Sequence, residues 1–364
     1  MTKIKAFYDS ASGRQLLPGA GVETPEQLLL NPIAFMTKPT HYDPDPKRRI
    51  ETMGIIDNSI RRATIEDFDP DRAEMQQIKL RAPMHLAGST IILDEGHPDQ
   101  FDGVYNADPS ISTLRLKIER GKIKGVHIDT IASNFYNISR KGEVARQLAS
   151  ISFLKRYLQV TFGISVTSSV HIPKLHGEGT GDNVYDPYRD IFFCGYKPKS
   201  EKFDPTQGRS DPDFHKIIEM QFKMQGQTFP FEVYNGHYHG DTVLGPLQNG
   251  DVVVHPGGMS GESFKQLEQL VAADQKQLIV VSAEDARNFA TNLICMNGNE
   301  VITPKTSSEF SKKLHNAGYK HTQVDLSQFV DHSSGGAHCL QNTIILRRDE
   351  RKEHLSFWIT RVKE

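Results

Sequence analysis

The sequence predicts an α/β chain arranged as a radial repeat around a central pocket, and three observations carry that reading. From about residue 82 onward, short apolar runs bounded by Gly, Asp and Pro turns alternate with helical patterns. Several of those runs are joined by short turns, whereas parallel βαβ units would separate their strands by helices. Polar motifs recur at strand ends at intervals of roughly 60 to 100 residues, as they would if successive modules each delivered a loop to one place.

The elements follow in order. Residues 1–80 are rich in Pro, Asp and Arg and carry no interpretable motif. They predict a loop at 40–46 and short helices at 25–30 and 70–78, the second capped by Asp69 and opened by Pro70. Strands are expected at 89–93, 113–118 and 124–128. A helix then runs from 143 to about 161, with Leu148, Ile151, Leu154 and Leu158 at three- and four-residue spacing, its charges reading as a solvated face. Further strands are expected at 164–170, 189–196, 250–256, 277–281, 293–296, 300–303 and 323–326, with a closing pair at 343–347 and 355–361. Helices are expected at 260–272, 283–289 and 307–317.

Composition narrows the function classes. Hydrophobic residues at 37%, charged residues at 24% and a formal net charge of -2 describe an ordinary soluble chain with no electrostatic reason to bind nucleic acid or an anionic membrane. No apolar run reaches the length of a membrane span or a signal peptide, and three cysteines far apart form no paired framework. The expectation is a cytoplasmic protein, with export by a route that needs no cleavable signal left open.

Four stretches carry residues that can do chemistry. Asp108 precedes Pro109, which pushes it towards an extended conformation at a strand boundary, where its carboxylate can point into a cleft; a turn aspartate is the plain alternative. Glu178-Gly179-Thr180-Gly181-Asp182 sets two acids four apart between glycines, an arrangement that suits a cationic ligand or a surface turn. It lacks the alternating acids and closing Glu of a calcium loop. His237, His239 and Asp241 fall on one side of an extended chain, so a histidine oriented by a carboxylate is available; zinc, the competing use, has no third His or Cys at ligand spacing. Finally, the Gly-rich turn 331–338 presents the thiol of Cys339 ahead of the apolar run 340–346, a strand or short helix, with Asp331 and His338 nearby. The alternative for Cys339 is a small buried hydrophobe. Cys194 and Cys295 lie in apolar strand contexts that bury a thiol and raise its pKa, and are expected to be inert.

In this order, Val104-Tyr105-Asn106-Ala107-Asp108-Pro109, Glu178-Gly179-Thr180-Gly181-Asp182, His239-Gly240-Asp241-Thr242 and Gly335-Gly336-Ala337-His338-Cys339 resemble the motifs of the guanidine-modifying, or pentein, superfamily. That superfamily includes arginine deiminases, dimethylarginine dimethylaminohydrolases and glycine amidinotransferases. The resemblance covers about residues 85–361. It implies a five-bladed α/β propeller of ββαβ-like modules with the active site in its central channel and no metal or organic cofactor. It implies Cys339 as nucleophile, His239 as general acid and base, and Glu178 and Asp108 as the carboxylates that grip a guanidinium. Asp241 would orient the histidine or the substrate, and Asp182, at the end of its turn, would join the substrate-binding acids. Three features depart from the pattern: the extra Thr180, Gly240 where a larger apolar residue is common, and residues 1–80, which have no recognised counterpart. The implied organisation is therefore an N-terminal extension, 1–80, packed outside a catalytic propeller, 81–364.

A guanidinium is planar and delocalised, and carboxylates on its N–H edges orient it and keep it cationic, hence open to attack by a thiolate. The expected protein is a cysteine-dependent hydrolase of arginine or an arginine derivative acting through a covalent thiouronium. An amidinotransferase is the alternative, and a non-catalytic pentein binding module the alternative of another class. The expected partner is a small guanidino substrate, with neither nucleic acid nor membrane, and a homo-oligomer is left open.

Overall fold

The computed structural model of the chain describes residues 4–42, 68–98, 100, 103–119, 122–135, 140–198, 208–234 and 236–347. The strand expected at 355–361 and most of the loop expected at 40–46 lie outside them. The chain begins with β1 (Phe7–Asp9), β2 (Arg14–Leu17), the short helix α1 (Pro25–Leu30), β3 (Ile33–Thr37), the long helix α2 (Pro70–Leu86) and β4 (Thr90–Asp94). Caps set both helices. The Thr24 hydroxyl and the Gln27 side chain form a reciprocal capping box on α1. The Asp69 carboxylate accepts from the Arg72 N–H at 3.0 Å on α2, with Pro70 at the first helical position.

Four successive units then repeat one plan: an antiparallel strand pair, a helix, and a third strand parallel to the second. The first is β5 (Ser110–Glu119), β6 (Lys122–Ala132), α3 (Lys141–Phe162) and β7 (Ser165–His171). The second is β8 (Asn183–Asp186), β9 (Ile191–Tyr196), α4 (Phe214–Phe222) and β10 (Thr228–Glu232). The third is β11 (Leu244–Pro246), β12 (Val252–Val254), α5 (Gly261–Ala273) and β13 (Leu278–Val280). The fourth is β14 (Ile294–Met296), β15 (Glu300–Pro304), α6 (Ser308–Asn316) and β16 (Lys320–Val324). Each helix buries one apolar stripe on its unit; on α3 this holds Ile151, Leu154 and Leu158, as their spacing predicts, and Gly163 ends the helix at φ 64°.

A short helix α7 (Ser327–Ser333) leads to β17 (Asn342–Leu346), and β17 completes a fifth unit with elements from the start of the chain. It pairs antiparallel with β3, Asn342 opposite Phe35 and Ile344 opposite Ile33, and β3 pairs parallel with β4 across α2. β17 also runs parallel to β5, so the fifth and first units merge in an eight-stranded sheet of order β1-β2-β4-β3-β17-β5-β6-β7, while the other three remain three-stranded.

This pairing corrects the expectation that residues 1–80 pack outside the repeat, because β3 and α2 are integral to the fifth unit and β2 extends its sheet on the outer edge of β4. A strand with neighbours on both edges and protein on both faces has no alternation to read. Ile33–Thr37 is buried at every position and, lying between Pro32 and Pro39, resembles a loop in sequence. The strand expected at 323–326 begins earlier, at Lys320, and the chain turns helical at Ser327.

Because β17 joins the two ends of the repeat, truncating Ile344 to Ala, a residue only 4% exposed, should lower unfolding free energy by about 2–4 kcal/mol. Denaturant unfolding measures this, and a loss below about 1 kcal/mol would show that β17 is not integral to the fold.

Candidate active site

Each unit carries polar residues in the segment that runs into its first strand. Asp108 precedes β5, Glu178 and Asp182 precede β8, His239 and Asp241 precede β11, and Cys339 precedes β17. The fourth unit follows the same rule with Asn292, ahead of β14. Hydrogen bonds link these segments in a closed ring. The N–H and hydroxyl of Thr180 donate to the Ala107 carbonyl at 2.8 and 2.9 Å, the Gly240 N–H donates to Asp182 Oδ1 at 3.1 Å, and the Thr291 hydroxyl donates to the Thr242 carbonyl at 2.7 Å. The Cys339 N–H then donates to Asn292 Oδ1 at 3.1 Å, and the Ala107 N–H donates to the Cys339 carbonyl at 3.2 Å, returning to the start.

The ring gathers the residues singled out in the sequence. His239 Nε2 lies 2.7 Å from Glu178 Oε2, and its Nδ1 lies 3.5 Å from Asp108 Oδ1. The Cys339 sulfur lies 3.4 Å from Asp241 Oδ2, which is also 3.0 Å from His338 Nδ1. Asp108, Glu178, His239, Asp241 and Cys339 are all buried. Gly181 allows the close approach: a Cβ there would stand 2.3 Å from Asp108 Oδ1 and 3.0 Å from His239 Nδ1.

Four expectations change in detail. Gly240–Thr242 forms a 3-10 turn, so Asp241 does not continue the side of the chain that holds His239 but turns to Cys339 and His338. His237 turns to the Thr242 hydroxyl at 3.1 Å and stacks on His255 with ring centroids 5.3 Å apart. Asp182, expected among the substrate-binding acids, directs both oxygens to the protein itself, accepting from the Gly240 N–H and from the Ser210 hydroxyl at 2.5 Å. The start of α3, expected to be solvated, is buried around Arg140 and Glu143. Arg140 holds Glu143 by two hydrogen bonds of 2.9 and 2.7 Å, and its Nη1 reaches Asp108 Oδ2 at 3.0 Å and Glu178 Oε2 at 3.6 Å.

Among the described residues, Asp108, Glu178 and His239 have donor atoms within 4.8 Å of one another, close enough to hold a metal ion. Arg140 lies on both acids, and Arg209 reaches Glu178 Oε2 at 3.4 Å while covering the Tyr238 ring at 4.9 Å. Two guanidiniums beside these donor atoms would repel a divalent ion placed among them.

Burial and charge set the protonation states. Burial alone would lower His239, but Asp108, Asp182 and Glu178 overcome it and raise the imidazole to about 9, so it is cationic at neutral pH. Burial would raise Glu178, yet Arg209, His239 and Arg140 hold it well below the usual carboxylate range. Burial dominates for Asp108, which is raised, and for Asp182, pushed up to about 7. The Cys339 thiol is raised by burial, Asp241 and Asp108, against which the Gly336 backbone and Asn292 act. Cys194 is raised by burial, and burial pushes Cys295 up to about 12.

Below the ring, the first strands line a cavity of about 150 Å³, bounded by Val184, Leu244, Ile294 and Ile344 and by Asp241 and His338. Asn292, Arg140 and Arg209 are the participants that the sequence reading left out. Asn292 had a signal: Asp182-Asn183-Val184, Asp241-Thr242-Val243 and Asn292-Leu293-Ile294 all place an Asx residue just before an apolar strand start.

The fold is the one seen in solved arginine dihydrolase and DDAH structures, in line with the resemblance of the motifs to the guanidine-modifying, or pentein, superfamily. No protein-family model matches the chain. Among curated proteins it is similar to the bifunctional arginine dihydrolase/ornithine cyclodeaminase AgrE of Nostoc sp., 25% identical over 310 residues, and to ArgZ of Synechocystis sp., 25% identical over 307 residues. Each alignment covers 84% of this chain but only 37% of the relative, so the chain spans little more than a third of their length. Among solved structures it is similar to the N-terminal domain of ArgZ bound to product, an arginine dihydrolase from the ornithine-ammonia cycle in cyanobacteria. The TM-score is 0.68 at 22% identity, covering 87% of this chain and 99% of that one. It is also similar to DDAH from Pseudomonas aeruginosa in complex with citrulline, with TM-score 0.57 at 16% identity over 85% of this chain and 98% of that one. Among the described residues no helix is long and apolar enough to cross a membrane.

The raised pKa of His239 makes a stability prediction. The protonated imidazole favours the folded state, so its contribution is complete below the unfolded value of about 6.5 and is lost as pH rises through about 9. His239→Gln should therefore flatten the decline in unfolding free energy across that window, as read by denaturant titrations at a series of pH values. Equal slopes in the two proteins would show that His239 is not held as a cation.

Proposed function

We propose that the chain is a cysteine-dependent hydrolase of a guanidino compound, arginine or an arginine derivative. The observation that carries this reading is that Asp108 and Glu178, beside His239, already hold a guanidinium, that of Arg140, at 3.0 and 3.6 Å. The likeness to arginine dihydrolases supports arginine as the substrate class. The five like units, the ring of hydrogen bonds and the cavity between four first strands support a closed five-bladed propeller with the site in its channel.

In the proposed mechanism Asp108 and Glu178 grip the N–H edges of the substrate, with Asp241 beside the sulfur, while Asp182 anchors the segment that carries His239. The bound cation offsets the carboxylates that raise the thiol, and Cys339 reacts as thiolate. A C–S bond forms at the guanidinium carbon, the His239 imidazolium gives its proton to the departing nitrogen, and the C–N bond breaks to leave a thiouronium. Neutral His239 then takes a proton from water. Hydroxide adds to the carbon, the C–S bond breaks, and a ureido product leaves with the thiolate restored.

Incubation with a panel of guanidino compounds, scored by mass spectrometry, tests this. The expected result is a ureido product with released ammonia or amine, falling on the order of 10⁴-fold or more in Cys339→Ser. An amidinium-bearing electrophile should label Cys339 in preference to Cys194 and Cys295. Transfer of the amidino group to an added amine would replace hydrolysis by transferase chemistry, and full turnover in Cys339→Ser would remove Cys339 from the mechanism.

A further inference from the structure

Asn292 is fully buried; both polar groups of its side chain and its main-chain carbonyl are directed at the residue pair His338-Cys339, while its N–H donates to the Phe289 carbonyl. Its Oδ1 accepts from the Cys339 N–H at 3.1 Å, its Nδ2 donates to the Cys339 sulfur at 3.0 Å, and its main-chain carbonyl accepts from the His338 N–H at 3.3 Å. The amide can face only one way. The backbone N–H of Cys339 requires an acceptor, which fixes the oxygen there and leaves the NH₂ facing sulfur. The glycine turn makes room for it, since a Cβ on Gly336 would stand 2.7 Å from Asn292 Oδ1. The Thr291 hydroxyl, bonded to Thr242 at 2.7 Å, secures the segment from the third unit.

We propose that Asn292 is a positioning residue for the nucleophile, fixing the Cys339 main chain with its carbonyl oxygen and stabilising the reacting thiolate with its N–H. This rests on the cysteine-hydrolase reading above. A hydrogen bond from a neutral donor strengthens when its acceptor becomes an anion, so the contact favours thiolate over thiol without adding a charge that would repel a cationic substrate. The groups it works against are close. Asp241 Oδ2 lies 3.4 Å from the sulfur and 3.0 Å from His338 Nδ1, and Asp108 and the Tyr238 hydroxyl complete the titratable surroundings. Cys339 would then ionise under two influences, substrate charge and a resident donor.

Three variants of the full chain test the proposal: Asn292→Ala, Asn292→Ser and Asn292→Asp. Alkylation of Cys339 by a small neutral reagent, quantified by peptide mapping at several pH values, reports thiolate without requiring turnover. Asn292→Ala should slow it about tenfold at each pH below the thiol midpoint and lower kcat about 10- to 100-fold with KM changed less than about threefold. Asn292→Asp keeps an acceptor for the Cys339 N–H but replaces the donor with a carboxylate beside the sulfur, so it should be impaired more than Asn292→Ala, and near-normal alkylation and kcat in this variant overturn the proposal. Should Asn292→Ala fail to fold, Asn292→Ser, which fills part of the space, carries the same expectation. Alkylation within about twofold of wild type in folded Ala or Ser variants, or a loss in KM alone, overturns the proposal. If wild type turns over no guanidine, the functional reading fails, while the alkylation series still decides whether Asn292 acts on the sulfur.

Discussion

The ring of hydrogen bonds between the segments preceding the first strands is the constraint on which the site depends. These segments are buried loops, and buried backbone N–H and carbonyl groups need partners that a loop cannot supply from its own ladder. Here the partners come from the neighbouring unit each time: Thr180 on Ala107, Gly240 on Asp182, Thr291 on Thr242, Cys339 on Asn292, and Ala107 on Cys339. Backbone satisfaction and side-chain placement are thus one problem with one solution. The bonds that bury Ala107 also fix Asp108, and those that bury the Cys339 backbone fix its sulfur. A unit that shifted along its strand would lose two bonds of the ring and misplace the side chain it carries. The hydrogen-bond ring also draws on the pairing of β17 with β3, which brings elements from both ends of the described residues into one unit.

What the sequence made legible follows from which signals are local. The Asp69 cap located the start of α2 and apolar spacing located α3 to within a few residues, because a cap binds its own helix N-terminus and the stripe on α3 is set by its own turns. The acids, the histidine and the cysteine were legible because charge and reactivity are unusual at a strand boundary. β3 was not, since burial on both faces erases alternation. Arg140 was not singled out because an arginine before a helix is ordinarily solvated, and its burial depends on Asp108 and Glu178, distant in sequence. Asn292 carries neither charge nor nucleophile, and only the equivalence of its place with those of Asp182 and Asp241 sets it apart.

The charge around the site gives a physical basis for selectivity under the proposed function. Asp108, Glu143, Glu178, Asp182, Asp241, Arg140 and His239 are buried, where unpaired charge is costly, with Arg209 partly exposed beside Glu178. The acids outnumber their cations, and burial, with neighbouring carboxylates adding to it, raises the pKa of Asp108 and Asp182. A neutral ligand leaves that imbalance in place and leaves the Cys339 thiol protonated. A guanidinium removes it at the point where Arg140 already demonstrates the fit, and in doing so lowers the cost of a thiolate beside Asp241. Binding and activation are then coupled by electrostatics: only a ligand that brings positive charge to the carboxylates creates the nucleophile that attacks it. Arg140 is held more firmly by its two bonds to Glu143 than by its contacts with Glu178, so a substrate cation would compete for the Glu178 edge while Arg140 keeps its anchor on α3. The resident arginine sets the position of the acids, and under the proposed function a substrate cation would supply the charge they lack.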